Sequence, residues 1–258
     1  MNEIEKIFPN AIENEEFQVY YQPKVDLRDY RLTGAEALCR WFHNGEMMPP
    51  YKFIPVLEQS DAICTLDFYM LEHVCRDIRR WLHEGKRAVR VSVNLSRRHM
   101  GNPNLLSYIL DIINRYQVPH EFIEIELTET TTDVDFKDLR MVVGGLVDRG
   151  IHTAVDDFGI GYSSLNLIRE LPWSVLKIDR SFLPTEGNWN TQTATVLKHL
   201  IALAKSMGVD CIAEGVETVE QISLLKENDC LLAQGFYFDK PLPKAEFEER
   251  LIAAGWGQ

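Results

Sequence analysis

Long apolar runs are missing from this chain: no stretch approaches the roughly 18 residues that a membrane-spanning helix requires. The opening Met1-Asn2-Glu3-Ile4-Glu5-Lys6 has neither the basic nor the apolar segment of a secretory signal. Cysteine is sparse, odd in number and scattered (Cys39, Cys64, Cys75, Cys211 and Cys230). No C-x-x-C pair occurs, so a zinc knuckle and a disulfide framework both lack support. Cys39 and Cys211 stand in apolar stretches and read as buried, inert thiols, and the cytoplasm is the expected compartment. Basic charge is also scarce. A net charge of −12 runs against a general nucleic-acid binder, which covers phosphates with a basic surface, and no DNA partner is expected. A phosphate ligand would need divalent cations or a few local basic residues to bridge the charge. A Walker-type phosphate loop is excluded, because Gly-Lys-Ser/Thr is absent. Nor does any low-complexity stretch or Pro/Ser-rich linker divide the 258 residues.

What the chain does contain is a recurring unit: a short apolar run, a polar residue near its end, a loop, and a segment of helical period. The runs are 90–94, 122–126, 152–156, 175–178 and 210–214, with a shorter one leading into Ala233-Gln234. Between them, Leu71, Val74, Cys75, Ile78, Trp81 and Leu82 share one helical face ending before Gly85. Val196, Leu197, Leu200, Ile201, Ala204 and Met207 form another, ending at Gly208. This alternation predicts parallel strands with crossover helices, spaced at roughly 20 to 40 residues as βα units are. The start differs. Runs 17–22 and 32–36 are joined by a polar turn around Asp26 to Arg31, too short for a helix, so a hairpin is expected there. The predicted fold is an α/β, TIM-type (β/α)8 barrel with an antiparallel first strand. Residues 1–14 read as a helical lead-in with Ile4, Ile7 and Phe8 on one face, and 15–258 as the barrel.

In a parallel barrel the C-terminal strand ends converge on one face, where active sites sit. At or beside those ends stand Glu36, Asn94, Glu126, Asp156, Asp157, Lys177, Glu214 and Gln234. Each has an ordinary alternative. Asp156 and Asp157 can open the next helix, Lys177 can snorkel at the rim, and Asn94 can cap a turn. Jointly they make a dense carboxylate cluster that repels itself unless cations neutralise it. An oxygen-only donor set favours Mg²⁺ or Mn²⁺ over zinc, and adjacent Asp156-Asp157 can serve two ions. Gly159 and Gly161 in the following segment permit a moving lid, with an ordinary βα turn as the alternative.

From about Phe17 to Phe247 the chain resembles the EAL-domain phosphodiesterases. The resemblance is carried by Tyr21-Gln22-Pro23-Lys24, Glu36-Ala37-Leu38-Cys39-Arg40-Trp41, Phe53-Ile54-Pro55, Val93-Asn94-Leu95-Ser96 and Glu126-Leu127-Thr128-Glu129. Asp156-Asp157-Phe158-Gly159, Lys177-Ile178-Asp179-Arg180-Ser181-Phe182, Ala213-Glu214-Gly215-Val216-Glu217 and Gln234-Gly235-Phe236 extend it. It implies hydrolysis of cyclic di-GMP to linear pGpG with two Mg²⁺ or Mn²⁺ ions. Glu36, Asn94, Glu126 and Asp156 would hold one ion, and Asp156 with Asp157 the other. Lys177 and Glu214 would manage the attacking water, with Glu36 also counted as catalytic. Gln22, Arg40 and Gln234 would meet substrate, and Glu129 would anchor the lid loop. Homodimers and fusion to sensor or GGDEF domains are also implied. Departures from the family pattern are Ile160 in the lid segment, Gln59 and Asp61 after Phe53-Ile54-Pro55, and one added residue around 187–190. The competing reading is a catalytically silent cyclic di-GMP receptor acting through protein partners. A third is a scaffold with a vestigial site, which would not need the full carboxylate set.

Overall fold

Strand alternation sets the frame. In the first strand, β1 (Phe17–Asp26), Phe17, Val19 and Tyr21 turn toward a buried aromatic layer while Gln18, Tyr20 and Gln22 face the other way. A turn with Tyr30 at φ 56° and the Arg28 amide on Asp26 Oδ1 (2.9 Å) reverses the chain into β2 (Leu32–His43). The pair is antiparallel, with Gln22 opposite Glu36. The computed structural model describes residues 3–128, 136–158, 165–185 and 191–252, leaving aside the side chains of 128, 157, 165 and 166.

The ring continues in parallel from β2 through β4 (Arg90–Asn94), β5 (Ile123–Thr128), β6 (His152–Phe158), β7 (Val175–Ile178), β8 (Asp210–Ala213) and β9 (Leu232–Ala233). β9 returns to β1, which is antiparallel to both its ring neighbours. Two short strands, β3 (Glu46–Met48) and β10 (Leu242–Pro243), hang on β2 and β1. The eight-stranded barrel with one reversed strand is the expected fold.

Helices α1 (Glu3–Glu13), α2 (Pro50–Leu57), α3 (Ala62–His83), α4 (Leu105–Arg115), α5 (Phe136–Val147), α6 (Leu165–Glu170), α7 (Thr191–Ser206), α8 (Val219–Glu227) and α9 (Lys244–Ile252) make up the α-helical part of the described residues, beside short 3-10 turns at Arg97–His99, His120–Phe122 and Arg180–Phe182. The apolar face read for 71–82 belongs to α3, which starts earlier, at Ala62. Gly85 and Gly208 sit at positive φ just past α3 and α7, as their reading as helix stops requires. Outside the ring the core is aromatic: Tyr21 packs on Trp81 (5.4 Å) and Phe247 (4.9 Å), and its hydroxyl donates to Asp77 (2.7 Å). The lead-in helix α1 buries Phe8 and Ala11, with Phe8 edge-on to Phe17.

Several boundaries depart from expectation. β5 runs two residues past Glu126, and β8 stops one before Glu214. Glu36 does not end its strand, because β2 runs on to His43, paired with β1 as far as Trp41 and with β3 from Trp41. Cys39 and Cys211 are half-buried rather than buried, and Cys211 Sγ lies 3.9 Å from Cys230 Sγ.

Candidate active site

Two-residue periodicity positions the site. Inside a barrel strand, residues i and i+2 face the axis, so each parallel strand contributes one side chain low and one at the mouth. The registers place Gly34, Ser92, Glu124, Ala154, Val175, Ile212 and Leu232 in the lower layer. Two residues on stand Glu36, Asn94, Glu126, Asp156, Lys177, Glu214 and Gln234. Because β1 is reversed, its mouth residue is Gln22 and its lower one Lys24. Ala154, Val175 and Ile212 pack together, while the opposite half of the lower layer is polar.

The mouth residues meet around one ammonium. Lys177, 1% exposed, places Nζ 2.5 Å from Glu126 Oε2, 2.8 Å from Glu214, 2.9 Å from Asp156 and 3.4 Å from Glu36. It is no rim lysine. Asn94 donates to Glu36 Oε1 (3.0 Å), and Gln234 Nε2 donates to Glu36 Oε2 (2.7 Å) and Glu214 Oε1 (2.9 Å). These residues come from β2, β4, β5, β6, β7 and the segments just beyond β8 and β9. Gln22 lines the same space, its amide 3.5 Å from the Asp239 carbonyl.

Four carboxylates share that single mouth ammonium, and their protonation equilibria diverge accordingly. Burial raises the Glu36 carboxyl, and repulsion from Glu126 adds to it. Burial likewise pushes Glu214 up to about 8, Lys177 offsetting only part of it. Glu126 goes the other way: burial opposes its charge, but Lys177 and Lys24 hold it down at about 2. Burial disfavours the Lys177 charge, yet Glu126, Glu214, Glu36 and Asp156 raise it well above the ordinary lysine value.

The donors suit a hard divalent cation: all are oxygens, the negative charge is in excess, and Gln234 Oε1 is buried without a hydrogen-bond partner. As they stand, the carboxylates close on the Lys177 ammonium. Among the described residues no three carboxylate, histidine or cysteine groups are already spaced as a cage. The Asp157 side chain, and Glu129, Gly159, Ile160 and Gly161, lie outside the described residues.

Over the cluster lies a cavity of about 230 Å³, walled by Gln22, Leu38, Asp179, Arg180, Glu217 and Phe236 among others. Leu38 separates it from a second of about 240 Å³ between β2, α2 and α3, where Arg40 sits. The Arg40 guanidinium donates to the Cys39 carbonyl (2.8 Å) and lies 5.4 Å over the Tyr20 ring. Sequence reasoning left several of these residues without a role. Phe236, 55% exposed at the cavity edge, and Arg180, packed against Gly215 at φ 62°, carry no periodic signal. Lys24 does carry one, standing two residues along β1 from Gln22.

A family model described as EAL domain matches residues 5–241. The chain belongs to the EAL domain family. Among its relatives, the signaling protein YkoW of Bacillus subtilis is 34% identical over 96% of this chain. The cyclic di-GMP phosphodiesterase NbdA of Pseudomonas aeruginosa is 33% identical over 97%. The chain covers only 31% and 32% of those two proteins, about a third of their length. Among solved structures, the MucR phosphodiesterase in complex with c-di-GMP superimposes with a TM-score of 0.88 at 30% identity, covering 95% of this chain and all of that one. The EAL domain of Mycobacterium smegmatis DcpA gives 0.77 at 29% identity, over 93% and 97%. This EAL domain thus has phosphodiesterase relatives in both sequence and structure. Among its described residues no helix is long and apolar enough to cross a membrane.

Proposed function

We propose that this EAL domain hydrolyses cyclic di-GMP to linear pGpG with the help of two Mg²⁺ or Mn²⁺ ions. The observation that carries the reading is the convergence of Glu36, Asn94, Glu126, Asp156, Lys177, Glu214 and Gln234 on one mouth in a chain of this family. Glu36, Asn94, Glu126 and Asp156 would hold one ion, and Asp156 with Asp157 the second. When bound, the cations lower the pKa of water and polarise the phosphodiester.

The remaining work belongs to side chains of this chain. A water oxygen bonds to phosphorus as the bond to the ribose 3′ oxygen breaks, leaving a 5′ phosphate. Lys177 keeps its proton, since four carboxylates favour its charge, and so presents a fixed positive charge to the oxygens that gain negative charge. Glu214, 2.8 Å from the Lys177 ammonium, would in its ionised form accept the proton that the water gives up. Gln22 and Gln234 orient the substrate by hydrogen bonding, and Arg40 offers a planar fork for a phosphate. In this reading the chain acts in the cytoplasm as a homodimer, either free-standing or fused to sensor or GGDEF domains that would supply its regulatory input.

The direct test incubates the protein with cyclic di-GMP and Mg²⁺ or Mn²⁺, with and without chelator, and separates the products. Metal-dependent pGpG supports the reading, and Ca²⁺ should inhibit, because a larger, loosely coordinated ion misplaces the water. Alanine at Glu36 or Lys177 should abolish turnover in a folded protein; full activity in either removes the mechanism. One observation favours a second reading, a silent receptor: Glu36, Glu126, Asp156 and Glu214 already have a partner in Lys177, and among the described residues no three such groups are spaced as a cage. Saturable binding without product decides for it.

A further inference from the structure

Below the mouth lies a second buried lysine, which the mechanism above does not use. Lys24 is 7% exposed and projects from β1 into the lower layer of the barrel. Its three ammonium hydrogens meet three acceptors: Glu124 Oε1 at 2.7 Å, Ser92 Oγ at 2.8 Å and Glu126 Oε1 at 2.9 Å. The stem runs beside Gly34, where an added Cβ would come within 3.7 Å of Lys24 Cδ and 2.9 Å of the Arg90 carbonyl oxygen.

Glu126 is thereby bound at both ends. One oxygen accepts from Lys24 and the other from Lys177 (2.5 Å), and the residue is 0% exposed. A carboxylate held at one oxygen can swing about its terminal bond, whereas one held at both cannot. Glu126 is also where lower and upper layers join, because Lys177 reaches on to Glu36, Asp156 and Glu214.

We propose that Lys24 is a positioning residue: from the lower layer of the barrel it fixes one oxygen of Glu126, and so sets how the other faces the mouth and its cations. The inference rests on the reading of Glu126 as a cation ligand. A group that orients a ligand is worth roughly 10- to 100-fold in metal affinity or activity. An ordinary structural ion pair would move stability and leave those two quantities alone.

The experiment compares wild type, Lys24→Met and Lys24→Arg in the intact chain. Mn²⁺ alone is the probe, titrated against the electron paramagnetic resonance signal of the free ion, so the readout does not depend on turnover. Lys24→Met should weaken Mn²⁺ binding roughly tenfold or more. It should lower kcat for cyclic di-GMP in parallel while KM changes less than about twofold. Lys24→Arg, which keeps the charge, should recover most of the Mn²⁺ affinity. A folded Lys24→Met protein with wild-type Mn²⁺ affinity overturns the proposal, whatever its melting temperature. Should that variant not fold, Lys24→Met/Glu124→Gln, which also removes the carboxylate left unpaired, carries the same comparison. If wild type binds Mn²⁺ but forms no pGpG, the hydrolase reading fails while the Mn²⁺ series still decides the role of Lys24.

Discussion

At the residue scale, Lys177 has four carboxylates within 3.4 Å and cannot neutralise them all. Glu36 and Glu214 are both costly to keep charged without a cation, since burial pushes each carboxyl up and Glu126 adds to the effect at Glu36. Glu36→Gln keeps the shape and removes one charge. In chelator it should stabilise the protein by about 1–2 kcal/mol while cutting hydrolysis by roughly 100-fold or more. Urea melts and a product assay check both; a variant that is both less stable and active contradicts the electrostatic account. Glu16 behaves in the opposite sense. Burial pushes its carboxyl up, but bonds from Trp41 Nε1 and the His43 ring (2.8 Å each) bring it below the ordinary value. Its folded pKa is depressed, so its contribution is present above the unfolded value of about 4.3 and lost as pH falls through the folded one. Glu16→Gln should flatten the acid limb of stability below about pH 4.5, and an unchanged limb would refute this. Most mouth residues were legible as a list of polar side chains at run ends. Lys24 was not assigned a role, because a lone lysine is usually solvated; only the register beside Gln22 shows it turned inward.

At the element scale, the loop from Glu214 to α8 carries site residues and is held by one glutamine. Thr218 caps α8 by accepting from the Gln221 amide (3.2 Å), and the Gln221 side chain accepts from Glu217 and Thr218 amides at 2.8 and 3.1 Å. Gln221 also donates to the Pro184 carbonyl (2.8 Å), joining this loop to the one after β7, and it is 4% exposed. Thr218→Ala should cost about 1 kcal/mol, an ordinary cap. Gln221→Ala should cost more, about 2–3 kcal/mol, because it removes three side-chain hydrogen bonds at once and leaves the carbonyl of buried Pro184 without this donor. Chemical denaturation ranks the two, and equal costs would reduce Gln221 to a simple cap partner. The reversed hairpin was readable from its short connection. The length of β2 was not: the apolar run continues past Glu36 through Ala37 to Phe42, and where the strand stops is set by tertiary pairing, with β1 as far as Trp41 and with β3 from Trp41 to His43.

For the whole molecule, net charge and site charge have the same sign: −12 overall, with uncompensated carboxylates at the mouth. A cation that binds only the folded state adds about 2.7 kcal/mol at one hundred times its Kd. For a chain of this size that raises the melting temperature by roughly 5–10 °C. Calorimetry in Mg²⁺ or Mn²⁺ against chelator reads the shift; its absence at millimolar ion sinks the metal-dependent reading. The (β/α) alternation gave the architecture from sequence alone, because interior and exterior positions repeat with period two. The energetic character of the barrel interior was hidden, since Ser92, Glu124 and Lys24 look like surface residues until ring closure faces them together.

The reversed strand β1 meets β2 at once but meets β9 and β10 only across almost the full chain. Glu36 and Gln234, bonded in the mouth, are 198 positions apart. A ribosome must therefore release nearly everything before the ring can shut, and closure across so long a loop is a late event in folding. Until then Gln234 has not reached Glu36, so a nascent or truncated chain carries the β2 glutamate without one of its mouth partners. The mouth, on this architecture, is complete only when β1 and β9 have met.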